Sequence, residues 1–133
     1  MMSKVTYEGY LRTKALHIQS GNSIVTDAPI DNEGKGEAFS PTDLVATALA
    51  SCMLTIMGIV AERNNIEIKG TTAEVEKIMG TMPRQISEIK IIFFFNNNFD
   101  KITKRKLESA ALNCPVSNSL NNNLKESIKF IYP

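Results

Sequence analysis

Two thiols, Cys52 and Cys114, are the side chains of this chain whose type makes them strong candidates for chemistry. A thiolate is a nucleophile and a reductant, and its reactivity follows its pKa and its exposure. Cys114 stands directly before Pro115, a residue suited to the first position of a helix. Free backbone N–H groups at such a start favour a thiolate, so helix position alone predicts the lower pKa for Cys114. Cys52 lies mid-way along an uncharged stretch, beyond the first turn over which a helix dipole acts. Taken alone it reads first as a small buried hydrophobe. To react, it needs a cation from elsewhere. Arg12, permanently charged and on the polar face of the first predicted strand, is the best candidate, although a plain surface residue would look the same.

Other candidates are weaker. His17 has no acid placed to orient its ring, so it reads as a structural or exposed strand residue. Asp31, Glu33 and Glu37 lack the spacing of a calcium loop and read as solvated loop charge. One histidine and two cysteines are too few soft ligands for a structural zinc site. No metal and no cofactor are expected.

The element that must position Cys52 is the stretch from Ser40 to Arg63, uncharged between Asp43 and Glu62. Ser40 can cap, Pro41 suits the first helical turn, and Asp43 falls three residues after the cap. Leu44, Val45, Ala48, Leu49, Cys52, Ile56, Ile59 and Val60 form a wide apolar face, and most of the remaining positions are apolar too. A helix over residues 41–63 would run roughly 34 Å. A helix of this kind spans a membrane or is deeply buried. Thr47, Ser51, Thr55 and Gly58 dilute it, and its flanks lack a basic cluster, so a buried central helix is the expectation.

Before this helix, Val5, Tyr7, Gly9 and Leu11 alternate with polar neighbours as a half-buried strand that runs on through Arg12. Ser20-Gly21-Asn22-Ser23 is a hairpin signal, which predicts an antiparallel meander over residues 3–27 and then a loop over 28–39. After the helix, strands are predicted over 66–79 and 84–95, joined by a turn at 80–83. A second helix starts at Asp100, with Leu107, Ala110, Ala111 and Cys114 on one face. A short Pro-initiated helix and a final strand through Ile128, Phe130 and Tyr132 close the chain. The order β-β-β-α-β-β-α-(α)-β is α+β, in one domain over residues 1–133.

Composition narrows the function. With 43% apolar and 22% charged residues and a net charge of +1, the chain is globular and carries no nucleic-acid footprint. The short basic run Lys101, Lys104, Arg105 and Lys106 reads as the solvated side of a helix. No secretory signal is visible at the N-terminus, so a cytoplasmic setting with reduced thiols is expected, with no membrane partner. One small sheet cannot cover a helix apolar all round, which predicts a homodimer sharing the central helices.

The motifs SPTDLVATALASC and, about sixty residues later, CPVSNSL resemble the OsmC/Ohr family of cysteine-based peroxide reductases. The pattern TDAP.DN.GKGE.FSPTDLVA is similar to its OsmC-like, YhfA-like branch. That resemblance implies an intertwined homodimer with long buried central helices and antiparallel sheets. It also implies thiol-dependent reduction of organic hydroperoxides in oxidative-stress defence. Cys52 would become a sulfenic acid and Cys114 would close a Cys52–Cys114 disulfide, which a dithiol or lipoylated protein would reopen. Arg12 aligns with the arginine that stabilises the thiolate and the peroxide. Many members carry a glutamate ten residues before the helix cysteine; here Thr42 stands there, beside Asp43. Asp43 is about 180° from Cys52 on an ideal helix, and capping already explains it. The missing acid keeps open a non-catalytic small-molecule-binding or redox-sensing protein on the same scaffold.

Overall fold

A computed structural model describes residues 1–133. The chain forms two compact units, Met1–Val45 and Ala46–Pro133. In the first, β1 (Ser3–Gly9), β2 (Arg12–His17) and β3 (Ser23–Asp27) form an antiparallel meander in the order β1-β2-β3. The alternation from Val5 to Arg12 predicts a single strand, yet the chain reverses at Tyr10 and Leu11. Both take positive φ, 55° and 63°, as a tight hairpin turn of this kind demands. Neither is a residue that favours that region, so no turn signal marks the break. Arg12 therefore opens the second strand instead of closing the first.

Burial also departs from the alternation. Val5 and Tyr7 are 62% and 64% exposed, so the face predicted to be half-buried is open within one chain. The predicted hairpin at residues 20–23 is present. Gly21 takes φ +76°, His17 Nδ1 and Ser20 Oγ share a 2.6 Å hydrogen bond, and the Asn22 N–H donates to Ser20 Oγ. His17 is thus the last residue of β2, its ring tied into the turn. A one-turn helix, Ile30–Asn32, interrupts the loop that follows.

Helix α1 (Pro41–Arg63) starts where predicted. Ser40 and Asp43 cap it reciprocally: the Asp43 N–H donates to Ser40 Oγ at 3.0 Å, and the Ser40 N–H donates to Asp43 Oδ2 at 2.9 Å. By length and composition α1 could cross a membrane, but Leu49, Met53 and Met57 are fully buried in the core of the second unit. Its packed stripe is Ala46, Leu49, Ala50, Met53, Met57 and Ala61. The face expected from the sequence is instead partly open, with Val45 and Ile59 at 37% and 40% exposure. Hydrophobicity cannot choose a face on a helix apolar all round; small alanines that permit close approach, and pliable methionines, decide it.

The second unit holds β4 (Thr72–Gly80), β5 (Gln85–Phe94) and β6 (Lys125–Ile131) in the order β4-β5-β6. β4 begins later than predicted because residues 68–71 turn. Gly70 has φ +90°, and a side chain there would collide with the Asn96 amide. Ile89, Ile91, Phe93 and Phe95 are buried as predicted, with Phe93 stacked on Phe130 and Phe95 on Tyr132. β5 pairs antiparallel with β4 but parallel with β6, so the sheet is mixed where antiparallel sheets were expected. A parallel neighbour needs a crossover. Helices α2 (Lys101–Leu112) and α3 (Pro115–Ser119) supply it. Asp100 caps α2 by accepting from the Thr103 N–H at 2.8 Å.

The capping box is the device that sets where α1 begins. Ser40→Ala is expected to cost about 1 kcal/mol, read as a lower urea midpoint at unchanged slope. An unchanged midpoint would show that the cap does not carry the start of α1.

Candidate active site

Cys114 sits between two helices because α2 ends at Leu112 and Pro115 cannot continue it. It is the N-cap of α3, where its Sγ accepts the Ser117 N–H at 3.3 Å. It is also fully buried and belongs to the core, while Cys52 on α1 is half-buried. Cys52 lies close enough to act on the Cys114 sulfur, and both thiols are free. Two residues about sixty positions apart thus meet because α1 and the α2–α3 junction pack on one core.

Their electrostatics correct the sequence expectation. Burial pushes the Cys114 thiol above its ordinary pKa, the Ser117 N–H pulls it down, and Cys52 pushes it up again. The helix-start argument predicts the opposite direction. It fails because α3 has only five residues and aims one long hydrogen bond at the sulfur, too little to offset desolvation. Nearby, Ser117 Oγ donates to both oxygens of Glu126, at 2.9 and 2.8 Å, and so ties the first turn of α3 to β6. Neither residue stood out in the sequence. A groove along α2, about 480 Å³ and lined by residues from Lys101 to Asn113, includes neither thiol.

In the first unit, Arg12 is held by an acid that sequence reasoning missed. Arg12 Nε and Nη2 donate to Asp27 Oδ1 and Oδ2 at 2.7 and 2.8 Å, a planar fork. Glu37 Oε1 stands 3.7 Å from Nη2. Asp27 also accepts the Glu37 backbone N–H at 3.1 Å. The Arg12 bond and charge hold the Asp27 carboxyl below the ordinary range against the cost of its burial. The signal was the register: Arg12 and Asp27 are directly opposite on β2 and β3. It becomes visible only once the Tyr10–Leu11 turn is known. Thr42 joins the helix cap through a 3.2 Å contact between its hydroxyl and that of Ser40. No three His, Cys, Asp or Glu side chains gather as a metal-ligand group.

A family profile described as OsmC-like protein matches residues 34–129, which include both cysteines. The chain belongs to the OsmC-like protein family. A crystal structure from Psychrobacter arcticus 273-4, provisionally named an osmotic stress induced and detoxification response protein, is 53% identical. It superposes with a TM-score of 0.96 over 98% of this chain and 96% of that one. The fold is shared more widely. The organic hydroperoxide resistance protein OsmC of Legionella pneumophila is 16% identical, with a TM-score of 0.76 over 98% and 96% of the two chains. An organic hydroperoxide resistance protein of Elizabethkingia anophelis is 15% identical, with a TM-score of 0.77 over 100% and 97%. No curated protein matches the chain. The fold expected from the sequence, α+β with the OsmC-like order of elements, is the one observed.

The raised Cys114 pKa has a direct consequence. In a Cys52→Ser variant, where burial remains the main cause, alkylation of Cys114 by iodoacetamide should keep rising with pH past about 9. Mass spectrometry of the alkylated protein gives the rate at each pH. A plateau reached below about pH 8 would restore the helix-start reading.

Proposed function

We propose that this OsmC-like protein reduces organic hydroperoxides with its own two cysteines, as an oxidative-stress defence enzyme of the cytoplasm. The observation that supports the reading is the neighbouring pair of reduced thiols, one half-buried and one fully buried. The Cys52 thiolate attacks the terminal peroxide oxygen; an S–O bond forms, the O–O bond breaks, and the alcohol leaves with a proton. Cys52 is then a sulfenic acid. Cys114 attacks that sulfur, forms the Cys52–Cys114 disulfide and releases water. A dithiol, free or as a lipoylated protein, reopens the bond by two exchanges and leaves as its own disulfide.

Burial supports this division of labour. A thiol with a raised pKa is a poor first attacker at neutral pH but, once ionised, a strong nucleophile toward an adjacent sulfenic acid. Arg12 is proposed to stabilise the Cys52 thiolate and the peroxide. Family membership and the fold shared with two organic hydroperoxide resistance proteins are consistent with a role in peroxide stress.

Cys52→Ser is expected to abolish consumption of tert-butyl hydroperoxide with dithiothreitol as reductant. Cys114→Ser is expected to retain one reaction per thiol and to leave a sulfenic acid on Cys52 that dimedone traps. The reverse pattern would exchange the two roles. A disulfide without turnover would identify a redox sensor, and no oxidation at all would identify a binding protein.

The open face of α1 supports a homodimer in which a second copy covers Val45, Ala48, Ser51, Thr55 and Ile59. Light scattering should give twice the 14.7 kDa chain mass at micromolar concentration. Ile59→Glu, a charge on that face, should shift it toward the monomer. A stable wild-type monomer would remove the proposed interface.

A further inference from the structure

Glu126 stands two hydrogen bonds from the Cys114 sulfur, and the thiol chemistry leaves it unused. Its two oxygens accept the Ser117 hydroxyl at 2.9 and 2.8 Å. The Ser117 N–H in turn donates to Cys114 Sγ at 3.3 Å. One serine thus joins carboxylate to sulfur, by its side chain on one side and its backbone on the other. Glu126 is the fixed end of this chain. It lies on β6, which pairs with β5 from Lys125 to Ile131, and it stands opposite the buried Ile89.

Few donors can serve that sulfur. Pro115 has no N–H, and the Asn118 N–H is taken by the Cys114 carbonyl at 3.1 Å. The N–H groups of Ser117 and, to a smaller degree, Val116 remain, and both favour the Cys114 thiolate against its burial. Five residues do not hold such a turn unaided, because so short a helix is marginal in isolation. Val116 and Leu120 pack against the core, but apolar contacts do not set the direction of an N–H. The bond from Ser117 to Glu126 does.

We propose that Glu126 is a positioning residue for Cys114: through the Ser117 hydroxyl it fixes the first turn of α3 and keeps the Ser117 N–H aimed at the sulfur. This deepens the peroxidase reading and rests on it. In the step concerned, the Cys114 thiolate attacks the Cys52 sulfenic acid. An S–S bond forms, the S–O bond breaks, and the hydroxide takes up a proton and leaves as water. Glu126 touches none of these atoms, nor does it act by its charge. Cys52 on α1 acts on Cys114 directly, Glu126 on β6 stands behind Ser117, and Leu112, Asn113, Pro115 and Val116 carry no charge. A carboxylate acting by charge alone would oppose a thiolate. Charge and positioning therefore predict opposite signs.

Two readouts test it. The first is the ionisation of Cys114, followed by ¹³Cβ NMR of cysteine-labelled protein in a Cys52→Ser background, where it is the sole thiol. Glu126→Ala should raise the titration midpoint by about one pH unit, the order of one hydrogen bond to a charged acceptor. Ser117→Ala should raise it equally, and the double variant no further, since the two residues act as one unit. Glu126→Gln drops the charge but keeps an acceptor oxygen, so it should stay close to the unsubstituted midpoint. The second readout is the rate of Cys52–Cys114 disulfide formation after tert-butyl hydroperoxide, with both cysteines present. Glu126→Ala should slow it about threefold, a tenfold loss of thiolate partly offset by the greater nucleophilicity of the more basic sulfur. Dimedone should then trap more sulfenic acid on Cys52. An unchanged or lowered midpoint in Glu126→Ala would overturn the proposal. So would additive shifts in the double variant, or Glu126→Gln shifted as far as Glu126→Ala. The pair borders a surface recess of about 380 Å³, so truncation leaves no closed cavity. If Glu126→Ala nevertheless does not fold, Ser117→Ala and Glu126→Gln decide by the same signs. If the wild type consumes no peroxide, the peroxidase reading fails by itself. The midpoints, which need no peroxide, then judge the positioning: raised together in Glu126→Ala and Ser117→Ala they uphold it, and unmoved they end it.

Discussion

A helix that is apolar on every side has to be covered on every side, and α1 imposes that demand on the whole chain. Its Leu49, Met53 and Met57 bury against a core that includes Ile89, Ile91 and Phe93 of β5 and Leu107 and Ala111 of α2. Each such side chain contributes roughly 1.5–3 kcal/mol when fully buried. The opposite side, with Val45 and Ile59 exposed, remains uncovered in a single chain. The same demand explains why one face of β5 carries Ile89, Ile91 and Phe93 and why the α2–α3 crossover returns the chain to that core. It also delivers Cys114 to α1. The thiol pair is a by-product of covering the helix.

That placement carries an electrostatic cost. A core position suits a resolving thiol sterically but raises its pKa, and five residues of α3 cannot reverse the effect. α1 offers Cys52 no help either, since the cysteine lies eleven residues past the helix start, where the dipole is spent. Any activation of Cys52 has to come from a side chain outside its helix. The cation singled out for that task, Arg12, is not a free charge: Asp27 neutralises much of it. What the pair retains is directionality, a fixed guanidinium plane with donors left over.

The elements of this fold were legible wherever local chemistry was decisive. Ser40, Pro41 and Asp43 announced α1, Asp100 announced α2, and Pro115 announced α3. Ser20–Ser23 announced a hairpin. The failures share a cause. Tyr10 and Leu11 turn without turn residues because the pairing of β1 with β2 imposes positive φ on them. The buried stripe of α1 could not be read because every stripe was apolar. The pKa of Cys114 was misjudged because helix position is local whereas burial is tertiary. For the candidate site, both thiols and Arg12 were visible by residue type and motif. Asp27, Ser117 and Glu126 were not, since each matters only through a partner that folding brings to it.

The proposed chemistry makes Cys52 and Cys114 one redox couple. Its most direct measurement is non-reducing peptide mapping of fully reduced protein treated with sub-stoichiometric tert-butyl hydroperoxide. A single intramolecular cross-link joining the Cys52 and Cys114 peptides is expected, in proportion to the peroxide added. Peroxide consumed while Cys114 stays a free thiol and no such cross-link forms would contradict it.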